Sequence, residues 1–283
     1  LFDFHHIICD GESIEIIFDR LANLIEDDSK TIIVASYKDY AYTIRTNTAE
    51  NIKYWKKQLA DFSQVAEYPL DKNRPKEYTY NGDFVECEIN KKLYDRVNCF
   101  AIQHSVSPFM VYLATLAILT NKYTREEDFI LGVAAEDRSF NGLEKVVGMF
   151  VNSLPIRCII NQDYKFIDIL NNVRKSILDA FDAQQFSLID LLNELEYEIG
   201  TDRNPLYDVM IIMQTEESKK ISFAGNQVKQ IKNLSKFTKL DLTFNIYHED
   251  NSPRIVLEYN INLFNKTMVE KILEHYLYTL DAL

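Results

Sequence analysis

The sequence predicts an α/β fold built on a mixed sheet, and three observations carry that expectation. Segments with helical spacing of apolar residues alternate with short runs rich in β-branched and aromatic residues. Two such runs follow one another directly near the end, as in a hairpin, which argues against a purely parallel sheet. The chain is also long and apolar enough for one large core or two modest ones: 283 residues, 47% hydrophobic and 26% charged.

Residues 2–9 read as a strand, and residues 12–26 as a helix with the stripe Ile14, Ile17, Phe18, Leu21, Leu24 and Ile25. The polar stretch 27–30 ends it, and a Tyr-rich segment (Tyr37, Tyr40, Tyr42) precedes a helix carrying Ile52, Trp55 and Leu59. Residues 69–75, with Asn81-Gly82 beyond them, form the clearest loop region. Residues 84–89 alternate as a strand with Glu86 and Glu88 outward, followed by a helix on Leu93, Val97, Phe100 and Ala101. Ser107-Pro108 supplies an N-cap and a first-turn proline for a helix to about residue 122. Residues 128–134 and 154–160 read as buried strands. A helix on Leu170, Val173, Ile177 and Phe181 comes next, and Ser187 opens a short one. Residues 207–214 make a central strand, and 240–247 pairs with 254–261 across Glu249-Asp250-Asn251. A final amphipathic helix carries Val269, Ile272, Leu273, Tyr276 and Leu280.

Composition excludes several function classes. The net charge is −12, and Lys219-Lys220, Lys229 and Lys232 form no patch, so no nucleic-acid surface is expected. The longest apolar run, 108–119, falls short of the about 20 residues that span a bilayer, and the first residues do not read as a signal peptide. Cys9, Cys87, Cys99 and Cys158 contain no CxxC pair, which argues against zinc or a redox dithiol and suits a reducing cytoplasm. Cys87, alternating with Val85 and Ile89, reads as a buried small hydrophobe. The seven glycines make neither GxGxxG nor a P-loop, so nucleotide chemistry is not expected. The chain opens on Leu1, in what reads as the middle of something, and is expected to be a piece.

One constellation carries chemistry. His5-His6-Ile7-Ile8-Cys9-Asp10-Gly11 sits where the expected strand gives way to a helix, and alternation would aim the two histidines at opposite faces. Gly11 lets the backbone pass closely or adopt a positive φ, and Ser13 lies near the helix start, whose N–H groups favour negative charge. A histidine with a reference pKa of ~6.5 can take a proton at neutral pH and return it. Asp10 can pin the loop through an arginine or through backbone N–H groups. No serine-nucleophile elbow accompanies the histidines, and a metal reading on His6 and Asp10 lacks a nearby third ligand. For an arbitrary His-His dipeptide, two structural histidines closing a strand is the simpler reading.

Taken whole, HHxxxDG followed by Ser13 resembles the active-site signature of condensation domains from non-ribosomal peptide synthetases, relatives of chloramphenicol acetyltransferase. Tyr37-Lys38-Asp39-Tyr40-Ala41 and Tyr54-Trp55-Lys56-Lys57-Gln58-Leu59 resemble that family's Tyr/Trp-rich segment, and 69–75 its proline loop. Residues 147–157 are similar to its GxFVNTLxLR strand, Arg203-Asn204-Pro205-Leu206 to its SRNPL motif, and 257–264 to its terminal hairpin. The resemblance covers essentially the whole chain in family order. Where the family shows GxPxAGR, this chain has Gly132-Val133-Ala134-Ala135-Glu136-Asp137-Arg138: the arginine is kept and the inner glycine is lost. His5-His6 departs from the heterocyclisation branch, and Ile14 from the epimerisation branch.

The resemblance implies a chloramphenicol acetyltransferase-like mixed sheet flanked by helices. Residues 1–45 would end an N-terminal lobe and 46–283 would form a C-terminal lobe. It implies acyl transfer in secondary-metabolite synthesis: an aminoacyl amine attacks an acyl or peptidyl thioester, both carried on 4′-phosphopantetheine. No cofactor would bind the chain directly. Upstream and downstream peptidyl carrier domains, an adjacent adenylation domain and the rest of the N-terminal lobe are the implied partners, and the cytoplasm the implied location. His6 is the expected catalytic residue, as base, positioner or intermediate stabiliser. His5, Asp10, Gly11, Ser13 and Arg138 complete the motif: Arg138 and Asp10 would be architectural, as a salt-bridge pair, and Gly11 and Ser13 would shape the pocket. Asn152 is a candidate pocket residue or a structural strand-end asparagine, and Arg203 and Asn204 stabilise a turn. A stand-alone acyltransferase using a diffusible acyl-CoA and a non-catalytic recruiting domain share the pattern. The chain alone is expected to fold at least in part, to turn over poorly and to expose apolar surface.

Overall fold

The computed structural model describes residues 3–26, 35–62, 65–138, 142–197, 200–214, 222–223, 226–227, 236–248 and 253–282. The expected helix end at 27–30, the lysines at 219, 220, 229 and 232, and the 249–251 turn lie outside them. The strands are β1 (Gly82–Glu88), β2 (Asp128–Glu136), β3 (Val151–Ile159), β4 (Val209–Gln214), β5 (Ser222–Phe223), β6 (Asn226–Gln227), β7 (Leu242–Tyr247) and β8 (Arg254–Asn260). The helices are α1 (Gly11–Glu26), α2 (Tyr37–Gln58), α3 (Lys91–Gln103), α4 (Pro108–Thr124), α5 (Phe166–Asp182), α6 (Leu188–Glu194) and α7 (Lys266–Asp281).

Six strands form one mixed sheet in the order β1-β8-β7-β4-β2-β3, and β5 pairs only with β6. β2, β4 and β7 run parallel, with Gly132 opposite Met210 and Val209 opposite Leu242. β3 returns antiparallel on β2, and β8 returns on β7 in the expected hairpin register, Tyr247 opposite Arg254. The mixed α/β fold is therefore as expected. Local chemistry places the helix ends: Ser107 Oγ accepts from Met110 N–H at 3.3 Å to start α4. A helix apolar on all sides belongs in the core, and Tyr112, Leu113, Ala114, Leu116 and Ala117 of α4 are fully buried. No single helix among the described residues is long and apolar enough to cross a membrane.

Several expectations need correction. Residues 3–5 are irregular and 6–8 form a turn closed by Ile8 N–H to His5 C=O at 3.1 Å, so the first strand does not form. A strand needs a partner for its backbone groups, and no described strand pairs with this segment. In α1 the buried positions are Ser13 and Ile16, while Leu24 and Ile25 are exposed. Ile14, Ile17, Phe18 and Leu21 are only half-buried, while Ser13 is bonded inward to Asp10 and Gly148. The Tyr-rich segment is the start of α2 itself, capped by Ser36. Phe181 at the end of α5 is exposed, and Cys87 is only half-buried.

Candidate functional site

Asp10 precedes α1 and is buried, 2% exposed. Its Oδ1 caps the helix by accepting Ser13 N–H at 2.8 Å, and it lies 2.6 Å from Ser13 Oγ. Oδ2 accepts Phe150 N–H at 3.1 Å, and Arg138 Nη2 donates to both oxygens at 2.9 and 3.1 Å. The implied Arg138–Asp10 ion pair is thus present. Burial pushes the Asp10 carboxyl up, but hydrogen bonds from the Ser13 hydroxyl and N–H and from Phe150, with the Arg138 charge, leave it below the ordinary carboxylate value. Ser13 is fully buried; its Oγ also accepts Gly148 N–H at 3.0 Å and lies 2.8 Å from Gly148 C=O. It belongs to this clamp rather than to open space.

Arg138 is itself held by Glu136, by the carbonyls of Leu143 (2.9 Å) and Val146 (2.8 Å), and by the Phe150 ring 4.1 Å below its guanidinium. The start of α2 completes the cradle, with the Tyr37 hydroxyl donating to Met149 C=O at 2.9 Å. A Cβ on Gly148 would stand 2.2 Å from the Tyr37 ring, so this close approach requires glycine. Gly11 differs from expectation: it is the first residue of α1, has no positive φ, and a Cβ there would meet nothing within 4 Å.

The histidines sit on the clamped turn with both rings exposed. His6 Nδ1 lies 2.8 Å from Cys9 C=O. A carbonyl only accepts, so Nδ1 carries a proton and Nε2 is left as the ring's other nitrogen, facing away from that bond. His5 Nδ1 instead accepts Ile7 N–H at 3.2 Å, which gives the two rings opposite tautomers. Local hydrogen bonds, not strand alternation, set them apart.

Asn152 spends its amide on backbone: Nδ2 donates to Gln184 C=O (2.8 Å) and Phe186 C=O (3.0 Å), and Oδ1 accepts Ser153 N–H (2.8 Å). Asn204 Oδ1 accepts Leu206 N–H at 3.1 Å, closing the expected turn. Arg203 does more than close it. Together with Arg74 it reaches Asp208 and Glu67, and Arg74 also pairs with Asp241. Sequence reasoning did not find this cluster; its one local signal is an aspartate directly before each of two apolar strands, at 208 and 241.

The sequence matches the condensation-domain family over residues 1–283. The chain belongs to the condensation-domain family. It is 31% identical to surfactin synthase subunit 1 of Bacillus subtilis over 287 aligned residues, covering 100% of this chain and 8% of that protein. Against bacitracin synthase 1 of Bacillus licheniformis it is 30% identical, covering 99% of this chain and 5% of that one. The domain therefore spans a small part of the large synthetases it resembles. Its fold superposes on the condensation domain from a monacolin K polyketide synthase with a TM-score of 0.84 at 18% identity, covering 99% of this chain and 68% of that one. Against a four-domain nonribosomal peptide synthetase bound to AMP and glycine the TM-score is 0.86 at 18% identity, covering 99% of this chain and 23% of the other.

Proposed function

We propose that this condensation domain forms amide bonds with His6 as the catalytic residue. It would join an acyl or peptidyl donor to an aminoacyl acceptor, each a thioester on a carrier domain's 4′-phosphopantetheine. The observation that carries the reading is the state of His6: an exposed imidazole whose Nδ1–H is held by Cys9 C=O, on a turn clamped through Asp10 to Arg138. The acceptor amine attacks the donor carbonyl carbon, and the carbonyl π electrons move to oxygen. The amine proton passes to His6 Nε2. Collapse of the tetrahedral species breaks the C–S bond, and the departing thiolate receives the proton, leaving an amide and a free phosphopantetheine thiol. An α-amine has a reference pKa of ~7.7–8.0, so a fraction is already neutral near pH 7 and His6 need not be a strong base. The Cys9 carbonyl orients the ring and stabilises it while Nε2 is protonated. Positioning two tethered reactants supplies up to ~7–11 kcal/mol of the barrier reduction. Asp10, Ser13 and Arg138 hold the turn and do not react.

In this reading residues 1–45 close an N-terminal lobe and 46–283 form the C-terminal lobe, within a cytoplasmic synthetase that also carries adenylation and carrier domains. The exposed Ile7, Ile8, Leu24 and Ile25 support it, since they present apolar surface for a preceding lobe to cover. The test is His6→Ala in the intact synthetase. Dipeptide formation on the carrier should fall to background while the melting temperature is unchanged. Undiminished product yield would overturn the assignment.

A further inference from the structure

Arg138 holds the turn bearing His6 from one side, and the residue before it reaches the opposite way. Asp137 is buried, 3% exposed, and its Oδ2 accepts the Tyr40 hydroxyl at 3.2 Å and Gln185 Nε2 at 2.8 Å. The Tyr40 ring packs on Phe150 at 4.6 Å. Burial, and next the Asp137 charge, push its hydroxyl well above the ordinary tyrosine value, so it remains the donor. Gln185 lies in the turn between α5 and α6, which is anchored independently. Trp55 Nε1 donates to Ala183 C=O at 2.9 Å, Asn51 Nδ2 to Gln185 C=O at 2.8 Å, and Asn152 bonds the carbonyls on either side of Gln185.

Asp137 thus joins a fixed turn to the strand end that delivers Arg138. Two routes run from there to Asp10. One is the guanidinium itself. The other passes through the Phe150 backbone: Asp137 N–H donates to Phe150 C=O at 2.9 Å, and Phe150 N–H donates to Asp10 Oδ2 at 3.1 Å. The GxPxAGR stretch that residues 132–138 resemble has glycine at this place, which offers no side chain for either bond.

We propose that Asp137 is a positioning residue. Its carboxylate, clamped between Tyr40 and Gln185, fixes the Asp137-Arg138 segment and Phe150, and through them sets the placement of Asp10 and of the His6 turn. This rests on the reading that His6 is the reacting group. An ionised carboxylate is an acceptor only, which suits a position between two donors.

The test compares Asp137→Gly, Asp137→Asn and Tyr40→Phe with the unaltered intact synthetase. Single-turnover condensation and amide hydrogen exchange over residues 5–13 are the readouts. Asp137→Gly should slow bond formation about tenfold per folded molecule, leave the apparent KM for the aminoacyl carrier unchanged, and speed exchange at residues 9–13. Asp137→Asn keeps an acceptor oxygen in nearly the same shape and should recover most of both. Asp137→Gly combined with Tyr40→Phe should be no slower than Asp137→Gly alone. Unchanged rate and exchange in a folded Asp137→Gly enzyme would overturn the proposal, as would a loss that tracks only the folded fraction. If Asp137→Gly does not fold, Tyr40→Phe removes a single hydroxyl and is judged by the same two readouts. The exchange measurement needs no turnover. Faster exchange in Asp137→Gly beside a fully active His6→Ala enzyme would therefore sink the catalytic reading and leave the clamp standing.

Discussion

At the scale of single residues, two glycines in the same site have opposite physical reasons to be there. Gly148 is required by packing, whereas Gly11 has open space where a side chain would go and no positive φ to justify it. Folding does not demand glycine at position 11. Gly11→Ala should therefore keep the domain's stability or raise it by about 0.4–1 kcal/mol, as alanine narrows the unfolded ensemble without a clash. If substrate occupies that space, the same variant should condense more slowly in the intact synthetase. Urea unfolding paired with single-turnover rates checks both, and a loss of stability would contradict the open geometry. The HHxxxDG spacing is legible in the sequence because its members lie within seven residues. The opposite tautomers of His5 and His6 are not, since they follow from a turn that alternation along a strand does not anticipate.

At the scale of elements, the starts of α4 and α6 were readable, whereas the start of α2 and the orientation of α1 were not. Ser107-Pro108 starts α4 and Ser187 starts α6 by capping chemistry that involves only near neighbours in sequence. In α1 the buried Ser13 bonds Gly148, 135 residues away, and no periodicity encodes that. The contact of α2 with the segment leading into β3 is equally remote. There Gly148→Ala would drive a methyl group into the Tyr37 ring. The expected cost is about 1–3 kcal/mol of stability, the usual range for overpacking. It should shrink when Tyr37 is also replaced by alanine, which opens the space. A urea double-mutant cycle measures the coupling, and additive losses would show that the two residues do not meet.

At the scale of the whole molecule, buried charge ties segments distant in sequence. Arg74 and Arg203 bring the 65–75 loop and the 200–206 turn onto Asp208 and Asp241, which stand just before the adjacent parallel strands β4 and β7. Burial, and next the Asp241 charge, push the Asp208 carboxyl up to about 7 from an ordinary 3.8; burial likewise raises Asp241. Folding above the ordinary carboxylate range then takes up a proton that the unfolded chain has released. Stability should therefore fall as pH rises from about 4 toward 7, by at most ~1.4 kcal/mol per pH unit for one such group. Asp10 acts with the opposite sign: its lowered carboxyl stabilises the fold above the ordinary range, and that contribution is lost as pH falls below it. Asp208→Asn removes one titrating group and should flatten the decline between pH 5 and 7. Urea unfolding at several pH values compares the slopes, and parallel curves for the two proteins would contradict the assignment.

By itself the sequence determined what short-range physics controls: the α/β class, helix starts set by capping residues, the β7–β8 hairpin and the linear histidine motif. Strand order, the inward bonding of Ser13, the sharing of Asp10 among Ser13, Phe150 and Arg138, and the Asp137 clamp were decided only by tertiary structure. The physical reason is the reach of each interaction. Capping and apolar periodicity act within a few residues, whereas a buried carboxylate must be satisfied by whichever donors the folded chain brings to it, here from up to 140 residues away.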